Sequence, residues 1–326
     1  MKAKGIGLFS GGLDSLLAAK VLMTQDIEVL GVTCVTPFFG PARARAAARQ
    51  IGLSLMEIDI TDEHLAMLKR PKYGYGKNMN PCIDCHALML RKAGTIMESE
   101  GADFIFTGEV LGQRPMSQTR QSLHIVAKNS GYQDYILRPL SALLLPETRP
   151  EIQGKVDRTK ILAVRGKGRK EQMEMARSYG IDTYSTPAGG CLLTDPIFSR
   201  RLRDLFKHSP DPQVKDIELL KYGRHFRINN FSKVIVGRNR VENETLQTLS
   251  EGTDVVIHMA QYPGPTAIVP GGGDEETVIC AASLCAYYSD APKDEEVLAV
   301  IRRGNSANQI RIMPAKKSEV ERLLLK

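Results

Sequence analysis

Two sets of residues in this chain have the types and spacing to do chemistry. The first is Ser10-Gly11-Gly12-Leu13-Asp14-Ser15, set between an apolar run and a stretch of helical periodicity. Gly11 and Gly12 can take backbone conformations closed to other residues and let amide groups approach an anion. Ser10 and Ser15 add hydroxyls, and a helix starting at this turn presents its positive end to phosphate oxygens. Asp14 is a hard oxygen ligand of the kind Mg2+ prefers. Turn chemistry alone would account for serine, glycine and aspartate here. The stretch lacks the Gly-Lys-Ser/Thr of a Walker loop, which removes kinase and GTPase readings.

The second set is cysteine. Pro81-Cys82-Ile83-Asp84-Cys85-His86 places two thiols three positions apart, and Cys191 follows 106 positions after Cys85 behind Pro187-Ala188-Gly189-Gly190, where two glycines permit a tight approach to a ligand. Three thiolates can hold a [4Fe–4S] cluster and leave one iron open. The same three with His86 could close a Cys3His zinc site. With no metal at all, Cys191 could carry a persulfide that Cys82 or Cys85 resolves as a disulfide. These stay open in that order, because ligand type does not select the metal. Cys34, inside an apolar strand, and Cys280 and Cys285, in an alanine-rich segment, read as core.

The elements that must position these residues alternate regularly. Gly5–Phe9, Ile27–Val35 and Leu53–Ile60 read as buried strands, with helices over Leu13–Met23 and Ala42–Ile51 between them. A helix over Ala87–Glu100, a strand at Asp103–Thr107, a helix over Ser117–Ser130 and a strand at Asp134–Leu137 continue the rhythm. Such βαβ alternation predicts a parallel sheet, and the loop after Thr107 then lies on the edge where open α/β sheets bind ligands. Tyr73–Asn78, with two glycines and no periodicity, is expected to be a mobile loop that closes over the site. Beyond a short helical connector the pattern changes to strands at Lys233–Val236, Val255–Met259 and Thr266–Val269 with a helix at Val241–Leu249, an α+β pattern.

The chain has 326 residues, 42% hydrophobic and 25% charged, which is ordinary globular usage for about two domains. No run approaches a membrane span and the N-terminus is not a signal peptide, so a cytoplasmic protein with no membrane partner is expected. The net charge is +7, from 44 basic minus 37 acidic side chains. Residues 155–170 hold Lys155, Arg158, Lys160, Arg165, Lys167, Arg169 and Lys170 against Asp157 alone, and residues 197–245 hold 11 basic and 6 acidic side chains. Polyanion binding and a solvated helix face account for such runs equally well.

The SGGLDS hexapeptide resembles the signature of the PP-loop ATP pyrophosphatases. Thr107-Gly108-Glu109-Val110-Leu111-Gly112-Gln113-Arg114-Pro115-Met116-Ser117-Gln118-Thr119 resembles the TGE-x-LGQ-x-x-SQT segment of the tRNA 4-thiouridine synthetases. LRPL at 137–140 and GGCLLTD at 189–195 resemble later landmarks of those and related tRNA thiolation enzymes, so the similarity covers residues 4–195. The resemblance implies an α/β fold: a parallel-sheet PP-loop nucleotide-binding domain, adenine nucleotide alpha hydrolase-like, over 1–196, followed by a smaller α+β domain. It implies ATP with Mg2+, Ser10, Gly11, Gly12, Asp14 and Ser15 around the pyrophosphate, and Gly108 and Gln113 lining the nucleotide pocket. It further implies Cys191 as the sulfur-handling residue with Cys82 and Cys85, and a [4Fe–4S] cluster on the three, as in relatives that use one in place of a rhodanese persulfide.

The N-terminal tRNA-binding modules of the synthetases are expected to be missing, with the tail as substitute. After a helical connector over 197–222, residues 223–326 resemble the NFACT RNA-binding domain through VIVGRNRVEN at 234–243, DVVIH at 254–258 and GPT at 264–266. Lys221, Arg224, Arg227, Lys233, Arg238 and Arg240 are then the expected phosphate contacts. The implied activity is an ATP-dependent tRNA sulfurtransferase, with tRNA, ATP and a sulfur donor as partners and a homodimer allowed. A PP-loop ligase or amidotransferase-type enzyme adenylating a small molecule is the alternative, since SGGLDS reports adenylation and not the acceptor.

Overall fold

A computed structural model describes residues 2–184 and 190–325. Pro187, Ala188 and Gly189 of the stretch before Cys191 lie outside the described residues. The chain divides into two units, Met1–Thr194 and Asp195–Lys326.

In the first unit β1 (Lys4–Leu8), α1 (Leu13–Met23), β2 (Glu28–Val35), α2 (Ala42–Ile51), β3 (Ser54–Asp59), α3 (Thr61–Lys69) and α4 (Cys82–Ser99) are followed by β4 (Phe104–Thr107), α5 (Arg120–Ser130), β5 (Ile136–Leu137), α6 (Arg149–Ile152) and α7 (Lys170–Ser178). The strands form one parallel sheet in the order β3-β2-β1-β4-β5. The chain builds outward from β1 through β2 to β3, then returns to β1's other side with β4. That reversal opens a crevice beyond the carboxyl ends of β1 and β4. Leu8 and Thr107 pair there, so the glycine turn after β1 and the Gly108 loop after β4 leave the sheet side by side. Leu13, Leu16, Leu17 and Leu22 of α1 are buried with Phe104 and Phe106 of β4, anchoring the turn to the core.

Three parts differ from the sequence expectation. α3 and α7 are helices that periodicity did not mark. The helix expected from Ser117 begins at Arg120, where the Thr119 side chain accepts a hydrogen bond from the Ser122 amide and caps it. The strand expected over Asp134–Leu137 starts as a 3-10 turn at Gln133–Tyr135 and leaves β5 two residues long.

In the second unit α8 (Pro196–His208), α9 (Val214–Leu219), β6 (Arg224–Arg227), β7 (Lys233–Val236), α10 (Arg240–Leu249), β8 (Val255–Met259), β9 (Ala267–Val269), α11 (Glu275–Tyr287), β10 (Val297–Arg303), β11 (Ser306–Ile312) and α12 (Lys317–Leu323) follow in order. The sheet is antiparallel, in the order β11-β10-β8-β9-β7-β6. The stretch expected as a connector belongs to this unit: Arg201 of α8 donates to the carbonyls of Leu220 at 2.7 Å and Gly223 at 2.9 Å. The alanine-rich segment is α11, with Cys285 fully buried against β8 and β9. Cys34 is buried in the first unit and Cys280 half-buried in α11. Burial pushes the Cys34 and Cys285 thiols up to about 12 and Cys280 up to about 11, as suits packing thiols.

Candidate active site

The glycine turn is shaped by two close approaches. Gly11 has φ +73°, and a Cβ there would stand 2.4 Å from the carbonyl oxygen of Arg43 at the start of α2. A Cβ on Gly108 would stand 2.5 Å from the Asp14 carbonyl carbon and the Ser15 nitrogen. Gly108 therefore lets the loop after β4 rest directly on the first turn of α1. It shapes the site by what it lacks. Ser15 donates to the Gly12 carbonyl at 2.8 Å, Gly12 N lies 3.4 Å from Ser10 Oγ, and Ser10 remains exposed at the turn.

Asp14 is held from two sides. Gln113 Nε2 donates to Oδ2 at 2.6 Å, and Gln172 Nε2 of α7 reaches Oδ1 at 3.5 Å while donating to Gln113 Oε1 at 2.9 Å. A carboxylate offers about four lone-pair sites, so the Asp14 oxygens keep capacity for a hard cation. Asp14 offers a hard carboxylate oxygen of the kind Mg2+ takes. Gln113 thus reaches the site through Asp14, and Gln172 joins it from a helix the sequence gave no reason to include. Arg165 and Gly166, at the end of the basic run, bridge to Leu111, and Gly166 N donates to the Leu111 carbonyl at 2.8 Å. Earlier members of the run are paired within the unit, Lys155 with Asp103 at 2.9 Å and Arg158 with Glu151.

The cysteine side is built on the first turn of α4. Asp84, between the two cysteines, accepts from the amides of Lys72 at 3.2 Å and Tyr73 at 2.9 Å. Tyr75 donates to the Leu68 carbonyl, Gly76 N to the Asn80 carbonyl and Asn78 to the Thr194 carbonyl. The 73–78 loop, expected to be mobile, is thereby pinned at both ends. Cys85 is buried with its sulfur 3.4 Å from Nε2 of His64, which is buried against Phe38 and Phe39. Cys82 Sγ accepts from Asn80 Nδ2 at 3.3 Å.

Cys191 lies within electrostatic reach of this pair. Burial pushes its thiol up to about 11; a Leu193 amide bond and Arg114 pull down and Cys82 pushes up. Cys85 is raised well above the usual thiol range by burial, then by Cys191 and Cys82. The three thiols and Arg114, next to Gln113, occupy one neighbourhood. Gly190 closes the circuit, with its Cβ position 3.7 Å from Arg43 Nη1, on the residue whose carbonyl abuts Gly11. Among the described residues, however, no three His, Cys, Asp or Glu side chains converge to hold a metal ion. Cys85 faces His64, and His86, the fourth ligand considered for zinc, has Nδ1 2.9 Å from Glu109 Oε1. As they stand, these side chains fit neither a cluster nor a zinc ion.

Glu109 is the other residue that spacing did not single out. Its Oε2 accepts from Arg138 Nε at 2.9 Å and from Thr107 Oγ1 at 3.2 Å. Burial would raise its carboxyl, but the Arg138 charge and the His86 and Arg138 hydrogen bonds hold it at about 2. A buried ion pair thus ties the loop after β4 to Arg138 just after β5, and the His86 hydrogen bond ties that loop to the first turn of α4.

In the second unit, most of the expected phosphate contacts are already engaged. Lys221 pairs with Glu218 at 2.6 Å, Arg227 with Asp204 and Arg238 with Glu242. Arg224 stacks over Tyr288 at 4.3 Å from the ring centroid. Lys233 is buried, and burial followed by the Arg227 charge brings it down to about 8. Arg240, paired with Glu244 at 2.7 Å on the surface, is the most accessible of the six. Arg203 and Lys207 of α8 are exposed.

Residues 1–144 match the family model described as thiamine biosynthesis protein (ThiI). Residues 223–324 match the model of the NFACT protein RNA binding domain. A protein of Methanosarcina mazei named "Probable tRNA sulfurtransferase" is 30% identical over 133 residues, 38% of this chain and 32% of that one. The tRNA-specific 2-thiouridylase MnmA of Clostridium acetobutylicum is 34% identical over 131 residues, 33% of this chain and 36% of that one. The chain spans about a third of the length of these relatives. A solved structure described as a 4-thiouridine synthetase–RNA complex with bound ATP overlays at TM-score 0.40 and 22% identity, covering 60% of this chain and 45% of that one. The glycine turn, Asp14, Gln113, both α4 cysteines and Glu109 all fall inside the range matched by the ThiI model; Gln172 and Cys191 fall after it. No helix among the described residues is long and apolar enough to cross a membrane.

Proposed function

We propose that this chain is an ATP-dependent tRNA sulfurtransferase, acting in the cytoplasm, that adenylates a uridine carbonyl oxygen and replaces it with sulfur. The observation that supports it best is the shared neighbourhood of Cys191, Cys82 and Cys85 beside the loop that carries Gln113 and Arg114. An adenylating site with no acceptor nucleophile nearby would have no use for three thiols there.

In this reading the turn amides and the α1 N-terminus hold the phosphates of ATP, and Asp14 holds the Mg2+, which when bound neutralises phosphate charge. A uridine unstacked from its RNA presents its carbonyl oxygen to the α-phosphorus. The oxygen forms a bond to phosphorus as the bond to pyrophosphate breaks. The adenylated oxygen then leaves as AMP when sulfur attacks the ring carbon. Cys191 handles the sulfur, with Cys82 or Cys85 as resolving thiol if the carrier is a persulfide. A [4Fe–4S] cluster on the three would require Cys85 to turn from His64, and no step here runs through one. Anaerobic purification with an absorption spectrum decides between them, and sedimentation of the same preparation reads its homodimer content. The second unit, with Arg240, Arg203 and Lys207 exposed, contacts RNA phosphates.

The decisive experiment is the nucleoside composition of tRNA from cells lacking the protein, complemented by wild type or Cys191→Ala. Loss of one thiolated uridine, restored by wild type alone, is expected. An unchanged profile overturns the reading in favour of a small-molecule acceptor.

A further inference from the structure

Gln172 lies in α7, beyond the segment that matches the ThiI family model, and its side chain is fully buried. An amide presents donors on one side and an acceptor on the other. Gln172 turns its donor side to two oxygens, Gln113 Oε1 at 2.9 Å and Asp14 Oδ1 at 3.5 Å. This decides how Gln113 sits. With Oε1 occupied by Gln172, Gln113 aims Nε2 at Asp14 Oδ2; rotated by half a turn, it would set oxygen against carboxylate and NH2 against NH2.

The arrangement has a cost that packing alone would not incur. Among the described residues Gln172 Oε1 is buried with no partner, and such an atom is destabilising where leucine of similar size would not be. A side chain there only to fill space gains nothing from an amide.

The geometry points to Gln172 as a positioning residue that fixes the Gln113 amide and the Asp14 carboxylate in the orientation that receives the cation of a bound adenine nucleotide. This rests on the nucleotide and Mg2+ part of the proposed function, and on neither the RNA nor the sulfur part.

The test uses Mn2+ as a paramagnetic probe with a non-hydrolysable ATP analogue, following free Mn2+ by its resonance signal. The proteins are wild type, Gln172→Leu, Gln113→Leu and the double variant, with Gln172→Met as a second replacement should leucine disturb packing. Gln172→Leu is expected to weaken Mn2+ binding about tenfold, the size of a hydrogen bond to a charged group, without lowering the unfolding midpoint. Because Gln172 acts mainly through Gln113, with only a longer 3.5 Å contact to Asp14, the double variant is expected to lose less than the sum of the two single losses. Wild-type affinity in Gln172→Leu and Gln172→Met, or losses that add in the double variant, would overturn the inference. Wild type that binds no Mn2+–nucleotide overturns it together with the adenylation reading. An unchanged tRNA profile with intact Mn2+ binding overturns only the choice of acceptor.

Discussion

The Cys85 sulfur lies 3.4 Å from Nε2 of His64, whose ring sits 5.4 and 5.5 Å, centroid to centroid, from Phe38 and Phe39. Burial lowers His64 to about 4 from the ordinary 6.5. Its folded pKa is depressed, so the unfolded chain binds more protons between those values, and stability falls as pH drops from 6.5 to 4. Urea unfolding at a series of pH values should show that slope in wild type and a flatter one in His64→Leu. An equal slope in both would assign the acid sensitivity elsewhere.

The buried Glu109 carries a second acid limb. Its carboxyl is held at about 2, against 4.5 for a free one, so its contribution is full above pH 4.5 and is lost as pH falls toward 2. Glu109→Gln leaves Arg138 charged and buried against a neutral amide. Breaking such a pair costs roughly 3–5 kcal/mol, readable at neutral pH as a shift in the denaturant midpoint.

Gly108→Ala should leave the core intact and damage the nucleotide turn. The new methyl would meet the backbone of Asp14 and Ser15 at 2.5 Å, and neither can move without moving α1. A displacement approaching 1 Å costs about 10^2-fold in turnover, so pyrophosphate release should fall by that order while the circular dichroism spectrum is kept.

Cys191 should be silent toward alkylation at neutral pH and become reactive as pH approaches 11, since burial keeps it a thiol. Peptide mass spectrometry after iodoacetamide reads this site by site. Cys191→Ala should abolish sulfur transfer, a loss on the order of 10^3-fold or more, and leave nucleotide binding unchanged.

On the second unit, charge removal should separate fold from RNA binding. Arg238→Ala frees Glu242, which also accepts from the Gly223 and Arg238 amides, and should lower stability. Arg203→Ala and Lys207→Ala change exposed side chains of α8. Each should reduce the slope of log affinity against log salt by about 0.7–0.9 if it contacts a phosphate; unchanged slopes would move the RNA face elsewhere.

The parallel sheet was legible because apolar strand runs at β1 and β2 alternate with helical stretches; α2 has distinct buried and exposed faces, while α1 is buried on nearly every side. The glycine turn was legible for a similar reason: Gly11 at positive φ and a helix after it leave a local signature. α7 left none. Its nine residues are largely polar and it buries Gln172 and Ala176, so no apolar stripe marks it. For the six basic residues near the tail, a sequence shows that arginines and lysines are present but not that Glu218, Asp204 and Glu242 stand across from three of them.

The order of the chain by itself determined where an anion could be cradled and which thiols were available, since both depend on residues within a turn of one another. Tertiary structure decided which of them meet. Asp14, Gln113 and Gln172, and likewise Cys85 and His64, come from separate segments, and only the parallel crossovers carry them to one edge of the sheet. Hydrogen bonds and burial act over a few ångströms in space, and distance along the chain carries no record of them.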